Sequence, residues 1–133
     1  MGRIGRAVKH RAAPFGLNVI YHNRKPLSAD LAAGCPYVSF DELLRTSDII
    51  SIHIPLSAAT HHLIGETEIA KMKPGVVIVN TARGAIIDEA AMAAGLEDGR
   101  IAAVGLDVYE KEPEINERLI KNDRAILVPH LGT

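Results

Sequence analysis

Cysteine is nearly missing from this sequence: Cys35 is the only one among 133 residues, so no internal disulfide can form. A lone thiol, with no CxxC spacing and no secretory leader, points to a reducing compartment, and a cytoplasmic protein is expected. Long apolar runs are missing too. The longest, such as Val76 to Val79, are strand-sized and fall far short of the roughly 20 residues a membrane helix requires, so no membrane partner is expected. Neither sign of charge dominates, with 15 Lys+Arg against 16 Asp+Glu. That balance argues against nucleic acid and for a small-molecule ligand. The chain also lacks an internal repeat, a low-complexity tract and a linker rich in Ser or Gly. At this length, one compact domain is the expectation.

What is present is an alternation. Short β-branched runs at Asn18 to Tyr21, Ile49 to Ile54, Val76 to Val79, Ala102 to Leu106 and Ala125 to Val128 read as strands. They lack strict in-out alternation, as strands buried on both faces of a helix-covered parallel sheet do. Helical patterns fall between them, at Gly5 to Phe15, Asp41 to Thr46 and Glu66 to Met72. A fourth opens at Asp88 as N-cap and closes at Asp98-Gly99, with Gly95 inside it at a cost of about 1 kcal/mol against Ala. Alternating β and α units predict a doubly wound α/β fold.

The chain opens Met1-Gly2-Arg3-Ile4-Gly5, the second and third glycines of a GxGxxG fingerprint at the head of a helix. The first glycine of that pattern is not there. In this motif one glycine lets the backbone approach a pyrophosphate, and the helix N-terminus supplies free amides and positive dipole. A strand follows and ends in Asn23-Arg24, about 20 residues on, where a ribose-binding residue belongs. No carboxylate stands there. Asn23 can bond a hydroxyl while Arg24, with Arg3 and Lys25, offers charge to a 2′-phosphate, so NADPH is favoured with NAD possible. The alternative at this turn is an ordinary solvated pair of basic residues.

Three further segments follow in order: Val79-Asn80-Thr81-Ala82-Arg83-Gly84, Gly105-Leu106-Asp107-Val108-Tyr109-Glu110-Lys111-Glu112-Pro113, and Val128-Pro129-His130-Leu131-Gly132. Together with His53-Ile54-Pro55-Leu56 and Lys73-Pro74-Gly75, they make essentially the whole chain resemble the D-isomer-specific 2-hydroxyacid dehydrogenases, nearest in flavour to the glyoxylate and hydroxypyruvate reductases. The resemblance implies a Rossmann-like, doubly wound parallel sheet whose first strand is missing before Met1. It further implies that residues 1–133 are part of the nucleotide-binding domain, with the substrate domain outside this chain. Such a piece, alone, is expected to bind nucleotide weakly and to turn over no 2-oxo acid. Relatives are usually homodimers, and the same is expected here.

Arg83, Glu112 and His130 each follow a predicted strand directly, at the edge where open α/β sheets bind ligands. Arg83 has the planar fork of donors suited to a substrate carboxylate and carbonyl. His130, with an unperturbed pKa of about 6.5, suits proton donation to an alkoxide. Glu112 would orient the imidazole and favour its protonated form; it is chosen over Glu110 because it stands immediately before Pro113, as in the family pattern. By the same resemblance Asp107 faces the nicotinamide carboxamide; Thr81 and Ala82 are expected near the nicotinamide ribose, His53 and Pro55 on the adenosine side, and Gly132 among the cofactor-binding residues. Taken singly, each of the three main residues has a plainer reading: a surface arginine, one carboxylate of an acidic turn, a histidine bonded at a strand end. A non-catalytic NAD(H)-sensing protein of the corepressor type shares the fold and keeps the three residues, and it stands as the alternative. His10, His22, His61 and His62 read as structural or solvated, because no Cys or carboxylate is spaced near the His61-His62 pair as a metal site requires. No metal is expected, and Cys35 reads as inert.

Overall fold

A computed structural model describes residues 1–132. The chain divides into two compact units, Met1–Leu43 and the chain from Leu44 onward. In the first unit, α1 (Arg3–Ala12) starts at Gly2, ends on the basic turn Lys9, His10, Arg11 that complements its dipole, and continues into a 3-10 turn at Ala13–Phe15. Gly16 stops it with a φ of 74°. A short helix, α2 (Ala29–Ala32), follows.

The expected strand at Asn18 to Tyr21 is a correction. Only Tyr21 pairs, in an isolated parallel bridge with Tyr37, where its amide donates to Pro36 O at 3.0 Å and its carbonyl accepts from Val38 N at 2.9 Å. Extended backbone becomes a strand only by sharing a ladder, and Leu17 to Ile20 has none among the described residues. The buried Cys35 thiol sits against this stretch, donating to Val19 O at 3.1 Å, and burial pushes its pKa up.

The second unit holds the sheet. The helix α3 (Phe40–Thr46) leads into β1 (Ile49–Ile52), α4 (Glu66–Lys71), β2 (Val76–Asn80), α5 (Glu89–Glu97), β3 (Ile101–Leu106), α6 (Glu117–Ile120) and β4 (Ala125–Leu127). The four strands are parallel and pair in the order β1-β2-β3-β4. This is the Rossmann-like α/β layer expected from the alternation. The helix α6 went unread in the sequence because four residues are too few for a period to show. Val76, Ile78, Ile86, Ile87, Leu96, Ile101 and Leu119 are fully buried. Each such side chain contributes about 1.5–3 kcal/mol over an exposed one. Among the described residues no helix is long and apolar enough to cross a membrane.

The helix α5 behaves as its sequence promised. Asp88 Oδ1 accepts from the amides of Ala90 at 2.9 Å and Ala91 at 3.0 Å, and Asp98 then Gly99 close it. Gly95, awkward in a helix interior, has a packing reason: a Cβ there would lie 2.9 Å from Ile101 Cδ1 and 3.2 Å from Ile69 Cγ2. At Gly84 the constraint is harsher, since a Cβ would fall 1.9 Å from the backbone carbon of Tyr109. Side-chain tips can move aside, whereas backbone cannot. Gly84→Ala is therefore expected to destabilise the fold by about 3 kcal/mol or more, and Gly95→Ala by no more than about 1 kcal/mol, because regained helix propensity offsets the crowding. Urea unfolding of both variants measures the contrast, and equal losses would contradict it.

Candidate active site

The register of the sheet builds the site. Ile52 pairs with Asn80, Asn80 with Leu106, and Leu106 with Leu127, so all four strands end on a single rung. The loops beginning at His53, Thr81, Asp107 and Val128 consequently leave the same rim side by side. That places Arg83, Glu112 and His130 on neighbouring loops although 47 residues separate the first from the last (130 − 83).

Each loop has its own anchor. Asn80 is buried, its Oδ1 accepts from Ala82 N at 3.0 Å, and its Nδ2 donates to Arg83 O at 2.9 Å, which folds the Thr81 to Arg83 turn back on the strand end. Arg83 remains exposed, with Nη1 donating to Ala82 O at 2.6 Å. In the next loop, Glu112 Oε1 accepts from Tyr109 N at 2.9 Å and Glu112 Oε2 meets His130 Nδ1 at 2.8 Å. The His130 hydrogen bond first, then the Tyr109 amide, and also the Arg83 charge, hold the Glu112 carboxyl below its ordinary range. An ionised carboxylate can only accept, so Nδ1 carries the proton. The Nε2 atom is then the ring nitrogen that Glu112 does not engage. Glu112 and His130 thus touch, while Arg83, on a neighbouring loop, acts on Glu112 through its charge.

Asp107 does something the sequence did not foretell. It is buried, and its two oxygens accept from Leu131 N at 2.6 Å and Gly132 N at 2.7 Å. Those amides, Gly132 first, hold its carboxyl below the ordinary 3.8 of an aspartate. His130 itself sits at a φ of 52°, a left-handed conformation that costs a non-glycine residue on the order of 1 kcal/mol or more. The Asp107 clamp on the two following amides holds that turn in place. Tyr109 adds a second tie, its buried hydroxyl donating to Val128 O at 2.8 Å and to Leu106 O at 3.3 Å. Asn80 and Tyr109 were legible only as parts of the quoted segments; their anchoring roles depend on which strand ends are neighbours.

The remaining expected residues are placed as follows. His53 follows β1 and meets Ser51 Oγ through Nε2 at 2.8 Å, and burial lowers its pKa. Pro55 O accepts from Thr60 Oγ1 at 2.7 Å, Thr81 is exposed and Ala82 half-buried. In the first unit, Gly2 caps α1 in extended backbone, Gly5 is buried, and Arg3 and Ile4 are exposed. No side chain caps the first turn of α1 and nothing lies within 4 Å of a Cβ placed on Gly2, so its amides are open to an anion. Asn23 Oδ1 accepts from the amino group of Met1, and Arg24 is exposed.

A parallel α/β layer whose carboxyl rim bears a histidine, a carboxylate and an arginine is the architecture of a dinucleotide-binding domain. Residues 1–132 match the NAD binding domain of the D-isomer specific 2-hydroxyacid dehydrogenases, and the chain belongs to that family. It is 53% identical over 133 residues to 4-methyl-2-oxopentanoate reductase A of Aspergillus oryzae, covering 100% of this chain and 40% of that protein. The crystal structure of a glyoxylate reductase from Paecilomyes thermophila superposes with a TM-score of 0.98 at 59% identity, over 100% of this chain and 40% of that one. The NADPH-dependent glyoxylate/hydroxypyruvate reductase of Sinorhizobium meliloti, in complex with NADP and malonate, gives 0.91 at 33% identity, over 97% of this chain and 40% of that one. The chain thus spans about 40% of the length of these relatives.

The Asp107 clamp has a pH signature. Its folded-state pKa is depressed, so the stability it lends is full above the unfolded value of 3.8 and drains away as pH falls through the lower folded value. Asp107→Asn should lower the melting temperature at neutral pH and flatten the acid limb that wild type shows below 3.8. Thermal melts across that range test it; parallel acid limbs in the two proteins would remove the clamp.

Proposed function

We propose that this chain is the cofactor-binding part of an NAD(P)H-dependent oxidoreductase that reduces a small 2-oxo acid, glyoxylate or hydroxypyruvate, to the D-2-hydroxy acid. The observation that carries it is the 2.8 Å contact between His130 Nδ1 and Glu112, on the rim that also bears Arg83. Arg83 binds the substrate carboxylate and polarises the carbonyl through its planar donors. His130 presents Nε2 to the carbonyl oxygen and gives up the proton there as the oxygen becomes an alkoxide. Glu112 stays ionised and orients the ring through its contact with Nδ1. When bound, the dihydronicotinamide supplies the hydride. The names of the relatives support this substrate class, and the corepressor-type alternative gains no observation of its own.

Site assignments follow unit by unit. In the first, the open amides at Gly2, Arg3, Ile4 and Gly5 take the pyrophosphate, and Asn23 with Arg24 the adenosine ribose and its 2′-phosphate, which makes NADPH the preferred cofactor. In the second, Thr81, Ala82, Asp107, His130 and Gly132 border the nicotinamide, and His53 and Pro55 the adenosine side. The substrate-binding domain lies outside residues 1–133, and the working enzyme is a cytoplasmic homodimer.

Two variants of the enzyme that contains this chain test the reading. His130→Gln should lower kcat/KM for glyoxylate by about 10²–10⁴. Retained turnover would take the proton-donor role away. Arg24→Glu should weaken NADPH binding by about tenfold or more while leaving NADH little affected, since one charge-assisted contact is worth about 1.5–3 kcal/mol. Titration calorimetry with both nucleotides reads it, and an equal loss for both would sink the NADPH preference.

A further inference from the structure

Outside the rim, the fold assembles a second group of chemistry-bearing side chains. His61, His62 and Glu110 each offer one ligand atom, and these atoms all lie within 4.8 Å of one another. Glu110 is 48 residues from His62 in the chain, yet its Oε1 meets His62 Nε2 at 2.9 Å. The rings of His61 and His62 stack with centroids 4.0 Å apart and planes 25° from parallel. Sequence spacing could not show this, because the carboxylate arrives from the loop after β3.

The backbones that carry these ligands share an anchor. His62 N donates to Ala85 O at 2.8 Å and Ile64 N to Ile86 O at 3.1 Å, which laces the histidine segment to Gly84–Ile86 and the residue after it. Glu110 N donates to the buried Glu89 carboxylate at 2.5 Å, and the Tyr109–Glu110 backbone presses on Gly84. Both ligand-bearing stretches are therefore seated on the one short segment from Gly84 to Glu89. His62 has a φ of 48°, so its side chain is aimed by backbone that an ordinary turn would not adopt. His62 and Glu110 also border a recess of about 350 Å³ whose wall includes Asp88, Glu89 and Glu114, which adds negative charge and room for water.

We propose that His61, His62 and Glu110 form a binding site for a divalent ion of the zinc class, with water from the adjoining recess in the fourth position. Two imidazoles and one carboxylate are a borderline donor set that suits Zn²⁺, Ni²⁺ or Cu²⁺ and disfavours Mg²⁺ and Ca²⁺. Zinc bonds of about 2.0–2.1 Å set tetrahedral ligand atoms about 3.3 Å apart. The 2.9 Å contact and the 4.8 Å outer limit bracket that spacing, and turning the exposed His61 ring out of its stack on His62 closes the site. The site is separate from the proposed catalytic residues and stands whether or not the 2-oxo acid reading holds.

The test is titration of the full chain with ZnCl₂ and, separately, MgCl₂, followed by calorimetry and by imidazole ¹⁵N NMR. One zinc per chain is expected, with the ring signals of His61 and His62 shifting together and no response to magnesium. Glu110→Gln and His62→Gln should each weaken zinc binding by on the order of tenfold or more. His61→Gln, at an exposed position, provides a variant whose folding is not in doubt and should do likewise. Wild-type affinity in His61→Gln and Glu110→Gln, shifts confined to other histidines, or an absence of zinc binding would each overturn the proposal.

Discussion

The shared last rung of the sheet is the constraint from which the site follows. Parallel strands carry evenly spaced hydrogen bonds, so a register set anywhere along the ladder is set at its end. Here Ile52, Asn80, Leu106 and Leu127 close the four strands together. A slip of one residue in β3 or β4 would turn Asp107 or His130 to the opposite face of the layer. The fully buried Ile78, Ile101 and Val104 oppose such a slip, because it would drive them out of the core. The chemistry at the rim is thus held in place by apolar packing a few residues below it.

Above that rung, polar contacts do the fine placement. Asn80 folds one loop, Tyr109 ties the second to the third, and Asp107 grips the turn that His130 opens. Of these, the Asp107 contacts matter most, since His130 occupies a backbone conformation it would not hold unaided. The same loop after β3 serves two ends: Glu112 reaches the rim histidine and Glu110 reaches His62. Two carboxylates that look interchangeable in the sequence are assigned different partners by the direction in which the backbone turns between them.

Gly84 belongs to both arrangements. Its missing Cβ lets the segment after β2 touch the backbone of the loop after β3 at Tyr109 and Glu110, the loop that carries Glu112 and seats Glu110 beside His62. Glu89 reinforces the contact from the start of α5, where burial raises its pKa while it accepts from the Glu110 amide.

The amino-acid sequence by itself determined the alternation of strand and helix, the start and stop of α5 and the family, and it singled out Arg83, Glu112 and His130 as candidates. These are local facts: a period, a cap, a run of residues in order. It misread Asn18 to Tyr21 as a strand, because pairing is a property of two segments and the composition of one cannot supply it. Only the tertiary structure decided that Asp107 grips the amides after His130, that Tyr109 joins β3 to β4, and that Glu110 meets a histidine 48 positions away. Each of those contacts depends on which chain ends lie next to one another and at what height, and that is settled by the register of buried strands rather than by any residue's own preference.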